Sequence, residues 1–265
     1  MHCTSPDRPD DDDFAADRGT AKLRSGTGYV WGFCDSEYME PCSCDKCGGK
    51  VKKKRKFYVH TARHVVYNAE EARRTKVDLF YDDDKCLYDG SMKSVWGVDL
   101  SVDKPDRDWC KILCVTCDED LVERIASSFL GGSNFIHIQP QDISDLGLLP
   151  SCNEDCDPVL IVSHPHARPK KITAGEVRRY QDVDYPRLDY TTPTCPGSSG
   201  ANVFAYDRDI GEFSYFLWSI PVHSGSFAEP SLWRNLLRRL FNRPRRRKTT
   251  PEQLNYAHDP LLGSH

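Results

Sequence analysis

The sequence predicts an all-β fold. Its 265 residues include 17 Gly and 17 Pro, and the apolar residues fall mostly in short β-branched or aromatic runs. Such runs, separated by turn residues, are typical of strands rather than of a helical bundle. A chain of this length can form one large domain or two small ones, each with a substantial core.

The elements are expected in two groups along the chain. The first strand is expected at 26–33, where glycines suggest the close approach of another backbone segment. Later strands of the first half are expected at 57–61, 77–81, 95–102 and 109–116. A helix is expected at 118–129, because apolar residues recur there every four positions. The strands of the second half are expected at 135–139, 159–163, 171–177, 201–205 and 215–223.

The two ends of the chain differ from the middle in composition. Residues 1–24 are polar and acidic, which predicts a disordered tail. An amphipathic closing helix is expected over 231–241, with Ser231 as its N-cap. Residues 242–265 are expected to form a flexible basic tail. The run Arg243-Pro244-Arg245-Arg246-Arg247-Lys248 within it could also be a nuclear signal or bind acidic partners.

Charge and hydropathy limit the possible partners and compartment. A formal net charge of −4 argues against a general nucleic-acid binder, so no specific nucleic-acid partner is expected. No run of 18 apolar residues occurs, so no membrane association is expected. The amino terminus lacks the basic start and apolar core of a signal peptide, which favours an intracellular, cytoplasmic location. The oligomeric state is left open by the sequence.

One stretch is suited to presenting a hydroxyl group at a loop tip, Thr194-Cys195-Pro196-Gly197-Ser198-Ser199-Gly200. Gly197 can adopt φ values that a side chain would forbid. The N–H groups of Gly197 and Ser199 could then form an oxyanion hole. An ordinary Gly/Ser-rich turn is the alternative interpretation.

Two upstream stretches supply candidate partners for this serine. An apolar, β-prone run ends in Thr61-Ala62-Arg63-His64, which places His64 just after a strand. Asp108 directly precedes the strand-like segment 109–116. Three other aspartates lie nearby, Asp99, Asp103 and Asp106. Asp108 is favoured because it alone is followed by several apolar strand positions.

These motifs resemble those of the trypsin/chymotrypsin-like serine peptidases over about residues 26–241. Thr61-Ala62-Arg63-His64 is similar to the Thr-Ala-x-His of that family. Asp108-Trp109-Cys110-Lys111-Ile112-Leu113 is similar to its Asp-hydrophobic-x-Leu-Leu strand, and Gly197-Ser198-Ser199-Gly200 to its Gly-Asp-Ser-Gly. The order His, Asp, Ser is also that of the family.

The resemblance implies a fold of two antiparallel six-stranded β-barrels of the chymotrypsin type with a C-terminal helix. The first barrel would span 25–120 and carry His64 and Asp108. The segment 121–241 would contain a linker helix, a second barrel carrying Ser199, and the closing helix. The implied activity is that of a serine endopeptidase acting on peptide or protein substrates, with His64, Asp108 and Ser199 as catalytic triad and Gly197 and Ser199 as oxyanion hole.

Departures from the family pattern refine this expectation. Ser198 stands where trypsin-like zymogens carry Asp, which implies an intracellular-type relative that needs no proteolytic activation. Thr194 and His223 match substrate-pocket positions of glutamyl endopeptidases and several viral proteases, which implies a P1 preference for Glu or Gln. For His223, a strand-end histidine without a ligand is the alternative. For the whole chain, the alternative is a catalytically silent trypsin-like domain that binds a peptide or protein.

The chain contains 12 cysteines, which a reducing compartment would keep out of disulfides. No cofactor is expected and no metal ligand is assigned. Whether Cys34, Cys42, Cys44 and Cys47 bind zinc is left open, since their spacing is not that of a standard zinc ribbon or knuckle. A third interpretation treats this Cys-rich insertion as a zinc module for protein binding.

Overall fold

The computed structural model describes residues 4–12, 14–34, 38–42, 47–102, 108–130, 135–136, 147, 157–181, 187–207, 212–214, 222–228 and 253–258. The fold is all-β: most of its elements are strands, and these form two curled antiparallel sheets, one in each half of the chain.

Among the described residues, the first sheet contains six antiparallel strands. They are β1 (Tyr29–Phe33), β2 (Tyr38–Pro41), β3 (Val51–Thr61), β4 (Lys76–Leu79), β5 (Lys93–Ser101) and β6 (Cys110–Thr116). Their order is β1-β3-β6-β5-β4, with β2 paired to the first part of β3. β3 and β6 are therefore the central strands, and the sequence motifs of His64 and Asp108 lie at neighbouring ends of this pair.

The alternation of residues along β6 explains why one face of this sheet forms the core. Cys110, Ile112, Cys114 and Thr116 are buried, while the residues between them are partly exposed. This period of two is the geometry of a strand with one face packed inward. Phe57 of β3, with no exposed surface, packs into the same cluster.

Two α-helices flank the first sheet, α1 (Ala69–Arg73) and α2 (Glu119–Leu130). The helix predicted at 118–129 is α2. Its Leu121 and Ile125 are each 2% exposed and belong to the core of the first sheet. The domain boundary predicted between residues 120 and 121 therefore falls inside a helix whose apolar side belongs to the first half. No helix in the described ranges is long and apolar enough to cross a membrane.

The second sheet contains eight strands in the described residues. They are β7 (Phe135–Ile136), β8 (Pro158–Ser163), β9 (Lys171–Gln181), β10 (Arg187–Tyr190), β11 (Asn202–Asp207), β12 (Glu212–Ser214), β13 (Val222–Ala228) and β14 (Gln253–His258). Their order is β13-β14-β10-β9-β8-β11-β12-β7. Asn202 of β11 also pairs with Val222 of β13, so the sheet curls back toward its first strand.

The second core is made by inward-facing residues of β8, β10 and β11. Val159 and Ile161 have no exposed surface, and they pack with Tyr190 and Val203, which are equally buried. Burial is nearly continuous along β8. This matches its sequence Pro-Val-Leu-Ile-Val-Ser, an apolar run in which apolar and polar residues do not alternate.

The carboxy-terminal segment differs from the expected flexible tail. Gln253–His258 forms β14, which pairs with both β13 and β10. Leu254 and Tyr256 alternate with polar residues, a strand pattern that the basic run upstream obscured. The closing helix predicted at 231–241 and the basic run of 243–248 lie outside the described residues.

The amino-terminal segment also differs from the expected disordered tail. Thr4, Ser5 and Arg8 are buried against the first half of the chain, and Ala15–Asp17 forms a short 3₁₀ turn. Composition alone predicted disorder because the segment has few apolar groups. Its order comes instead from ionic and hydrogen-bonded contacts with Glu71 of α1.

Candidate active site

His64 lies in the turn that follows β3. The strand ends at Thr61, and the small residue Ala62 beyond it has no exposed surface and packs against Trp109. The N–H of Val65 donates to the carbonyl of Ala62 at 3.1 Å and closes the turn. The His64 side chain is thereby held near the surface, with 17% of it exposed.

Asp108 accepts two hydrogen bonds from His64. The imidazole Nδ1 is 2.6 Å from Oδ2, and the backbone N–H donates to Oδ1 at 2.8 Å. Pairing of Thr61 with Cys110 across β3 and β6 sets the acid beside the turn. Because a carboxylate only accepts, Nδ1 carries the proton and Nε2 has a free lone pair. This is the tautomer that a general base requires.

Asp99, one of the aspartates weighed against Asp108, does not occupy this position. Asp99 accepts from the N–H of its neighbour Leu100 at 2.9 Å and lies 3.8 Å from Arg73 on the exposed side of the sheet. Asp103 and Asp106 lie outside the described residues. The pairing of β3 with β6 therefore distinguishes Asp108 from Asp99, which the sequence left as alternatives.

Ser199 lies on the loop between β10 and β11. Gly197 and Gly200 have φ of +99° and +91°, a region that side chains rarely adopt. The N–H of Ser198 donates to the carbonyl of Cys195 at 3.0 Å and tightens the loop. Within the part of the chain that the structure describes, the N–H groups of Gly197 and Ser199 donate no hydrogen bond. Gly197 is buried and Ser199 is partly exposed, and donors without an internal partner are what an oxyanion hole requires.

The two adjacent serines have different surroundings. Ser198 has no exposed surface, and its Oγ lies 3.1 Å from the Oγ of Ser163 on β8. Ser199 is partly exposed. Ser198 therefore has a hydrogen-bonded, buried place in the second half, and Ser199 is the serine that an incoming molecule can reach.

Thr27 connects the loop of Ser199 to the turn of His64. Its N–H donates to the carbonyl of Ser199 at 2.8 Å, and its Oγ1 donates to the carbonyl of Gly197 at 2.8 Å. Its own carbonyl accepts from Oγ1 of Thr61 at 2.7 Å. Sequence reasoning did not single out Thr27. The signal was the pair of glycines around it, Gly26 and Gly28, which had suggested close backbone approach.

The loop of Ser199 and the turn of His64 are in direct contact. A Cβ on Gly200 would lie 2.2 Å from Oγ1 of Thr61 and 2.9 Å from the N of Ala62. Between the described side chains of His64 and Ser199 there is no direct hydrogen bond. In serine enzymes such bonds are commonly long before substrate binds.

The amino-terminal segment reaches this site. Arg8 donates to the carbonyl of His64 at 3.0 Å, and the ring of Phe14 stacks on the imidazole with centroids 6.1 Å apart. Arg8 also forms a bidentate pair with Glu71, at 2.8 and 2.6 Å. Burial raises the pKa of Glu71, but hydrogen bonds from Arg8 and from backbone N–H groups outweigh it and hold the pKa below its usual value.

His223, expected in the substrate pocket, is buried beside the loop of Ser199. Its carbonyl accepts from the N–H of Gly200 at 2.8 Å, and its N–H donates to the carbonyl of Ala201 at 2.9 Å. Its Nδ1 is 2.8 Å from the hydroxyl of Tyr190, a residue that sequence reasoning missed. Thr194, the other expected pocket residue, lies partly exposed on the same loop as Ser199.

Of the four cysteines whose zinc binding the sequence left open, the structure brings two together. Cys42 and Cys47 meet Cys117, which follows β6, and the three Sγ atoms lie within 4.8 Å of one another. Cys34 is not in this group, and Cys44 lies outside the described residues. Cys117 was missed because it is 75 residues from Cys42 along the chain.

No protein-family model matches this chain, and no curated protein matches it either. The interpretation of the site therefore depends on its own geometry.

Proposed function

We propose that this protein is a serine endopeptidase with His64, Asp108 and Ser199 as its catalytic residues. The observation that carries the proposal is the double hydrogen bond from His64 to Asp108, beside a loop that contacts the same turn and carries Ser199. A histidine fixed by a carboxylate next to an accessible hydroxyl is the arrangement that activates a serine nucleophile.

The proposed reaction proceeds through an acyl-enzyme. Oγ of Ser199 attacks the carbonyl carbon of the scissile peptide bond, and its proton passes to Nε2 of His64. Asp108 stabilises the resulting imidazolium, and the N–H groups of Gly197 and Ser199 stabilise the oxyanion. The C–N bond then breaks as His64 returns the proton to the leaving amine. Water, activated by His64 in the same way, hydrolyses the ester and restores Ser199.

The proposal includes a fold of the chymotrypsin type. Its support is the pairing in the second sheet, where β13-β14-β10-β9-β8-β11 and the contact of β11 with β13 form a circuit of six strands. The order of the three residues, with His64 and Asp108 in the first half and Ser199 in the second, is also that of this architecture.

The proposed substrate has Glu or Gln at P1, recognised by His223. A phenol that donates to Nδ1 leaves Nε2–H of a neutral imidazole as a donor, and a carboxylate or amide oxygen of the substrate would accept from it. The Tyr190–His223 pair is buried, and a hydrogen bond shielded from water is stronger than an exposed one.

The proposed enzyme needs no proteolytic activation. In zymogens the residue before the nucleophile is an Asp that binds a new amino terminus. Here that residue is Ser198, whose hydroxyl is already hydrogen-bonded to Ser163 in the buried interior. Treatment with an activating protease should leave the activity of the purified full-length chain unchanged.

An active-site-directed fluorophosphonate tests the catalytic proposal. Wild type should be labelled, and mass spectrometry of the digest should place the adduct on Ser199. Ser199→Ala should not be labelled, whereas Ser198→Ala, the matched control one residue away, should be. Profiling with a peptide library then tests the P1 preference independently of the labelling.

Two outcomes would contradict the proposal. A folded wild type that neither reacts with the probe nor cleaves any library peptide would favour the catalytically silent, peptide-binding domain. Equal labelling of wild type and Ser199→Ala would place reactivity on another residue. A strong preference for Arg or Phe at P1 would show that His223 does not select the P1 side chain. The assignment of the catalytic residues would stand.

A further inference from the structure

The three cysteines 42, 47 and 117 have the spacing of metal ligands. Sγ of Cys117 lies 3.3 Å from that of Cys42 and 3.6 Å from that of Cys47. A disulfide would bring two sulfurs to about 2.05 Å. Sulfurs at two corners of a tetrahedral zinc site are about 3.8 Å apart, since each Zn–S bond is about 2.3 Å. The observed separations are much closer to the zinc geometry.

We propose that Cys42, Cys47 and Cys117 bind a Zn²⁺ ion as thiolates, in a structural site separate from the catalytic residues. The three sulfurs supply three corners of a tetrahedron, and a further donor completes the fourth. Cys117 is the residue that turns a local cysteine-rich loop into a site that links distant parts of the chain.

Backbone hydrogen bonds at the two described ends of the loop hold two of the ligands. The N–H of Cys42 donates to the carbonyl of Lys50 at 2.9 Å, and the N–H of Lys50 donates to the carbonyl of Cys47 at 3.1 Å. Gly48 and Gly49 have φ of +55° and +81°, so the chain turns sharply directly after Cys47. These bonds hold both thiols at the closed end of the β2–β3 hairpin.

The strand that leaves the loop is strongly basic, which suits an anionic cluster at its start. Three thiolates and one Zn²⁺ carry a net charge of −1, and the strand that leaves the loop contains five cations in its first six residues: Lys52, Lys53, Lys54, Arg55 and Lys56. Cys114, three residues before Cys117, contrasts with the cluster: burial raises its pKa to about 12, so it remains a neutral thiol in the core.

The metal would supply stability that packing does not. Met39 of β2 and Val51 of β3 are 63% and 57% exposed, so this hairpin buries little apolar surface. A zinc ion would fasten it to the chain between β6 and α2. β3 extends for 11 residues, roughly 33 Å, between this cluster and the turn of His64. Loss of zinc should therefore lower the stability of the hairpin and leave the catalytic activity unchanged.

Metal content of the purified full-length chain tests the site. Wild type should contain about one zinc per chain by plasma mass spectrometry. Cys117→Ser should lose most of it, whereas Cys34→Ser, the matched control outside the cluster, should keep it. Cobalt substitution of wild type should give the thiolate-to-cobalt charge-transfer absorption and the intense visible bands of tetrahedral Co²⁺.

A second variant separates loss of a ligand from loss of the fold. Cys117→His keeps a zinc ligand at this position, so it should retain zinc while the cobalt form shows a weaker charge-transfer band. A chelator should lower the melting temperature of wild type and leave that of a folded Cys117→Ser unchanged. The proposal is overturned if folded wild type binds neither zinc nor cobalt, if Cys117→Ser retains full zinc, or if protein isolated under reducing conditions carries a Cys42–Cys117 disulfide.

Discussion

Asp108 holds His64 by two hydrogen bonds at once, one to the imidazole and one to the backbone of the same residue. The backbone bond fixes which carboxylate oxygen faces the main chain, and so leaves the other for Nδ1. The acid therefore orients both the ring and the turn that carries it. Because of this double contact, a change at Asp108 should alter the tautomer of His64 while the turn stays in place.

Asp108→Asn should abolish most activity without unfolding the protein. The amide oxygen can still accept from the N–H of His64, but the NH₂ group then faces Nδ1 and forces the proton onto Nε2. The base is lost, and kcat should fall by about 10⁴, as in other triads. Asp99→Asn, at an exposed position on β5, should retain wild-type kcat in the same peptide assay. Full activity of Asp108→Asn would contradict the assigned role.

Gly200→Ala should weaken the contact between the two halves of the site. A Cβ at this position would lie 2.1 Å from the carbonyl of Thr27, and φ of +91° disfavours any side chain. The free energy of unfolding should fall by about 3 kcal/mol, from clash and backbone strain together. Gly90→Ala is the control, because Gly90 also has positive φ but no atom within 4 Å of an added Cβ.

The control should lose only about 1 kcal/mol, the cost of backbone strain alone. Chemical denaturation measures both variants, and the rate of fluorophosphonate labelling reports the site. Equal destabilisation of Gly200→Ala and Gly90→Ala would show that the loop of Ser199 does not abut Thr27.

Glu71→Gln should destabilise the protein by about 3 kcal/mol, because the buried Arg8 loses its bidentate anionic partner and keeps Asp12 as its remaining counterion among the described residues. Glu70→Gln, on the exposed side of the same helix, should cost less than about 1 kcal/mol, since its pair with Arg74 is solvated. Thermal melts of the two variants at neutral pH compare them directly.

The same network predicts a loss of stability in acid. The pKa of Glu71 is lower in the folded than in the unfolded protein, so its contribution is complete above the unfolded value of about 4.3 and is lost as pH falls through the lower, folded value. Melting temperatures between pH 7 and pH 3 should therefore converge for wild type and Glu71→Gln. If the two melting temperatures differed by the same amount over this range, the ionised carboxylate of Glu71 would not be the source of the stability.

Tyr190→Phe should reduce the selectivity of the proposed P1 pocket. Without the phenol, Nδ1 of His223 loses its hydrogen bond from the Tyr190 hydroxyl. The imidazole is then no longer held in the tautomer that donates from Nε2. The ratio of kcat/KM for a Gln or Glu peptide over its P1 Ala analogue should fall by about tenfold, the value of one buried hydrogen bond. Thr191→Ser, one residue along, should leave this ratio unchanged. An equal loss on all peptides would indicate a structural role for Tyr190.

The sequence by itself determined the local features of this protein. Alternating apolar residues predicted β6, four-residue spacing predicted α2, and the glycines around Thr27 indicated close approach, because each of these patterns is a property of neighbouring residues. The three short motifs also named His64, Asp108 and Ser199, and the structure brings His64 and Asp108 into contact.

Only the tertiary structure decided which distant residues meet. Arg8 with Glu71, Tyr190 with His223, and Cys117 with Cys42 are separated by 63, 33 and 75 residues, and none of these pairs leaves a periodic signal in the sequence. The same limit explains the amino-terminal segment, whose acidic composition predicted disorder although its ion pairs and hydrogen bonds with Glu71 order it. Such contacts depend on strand order and register, which are set by the packing of the whole sheet rather than by any single stretch of chain.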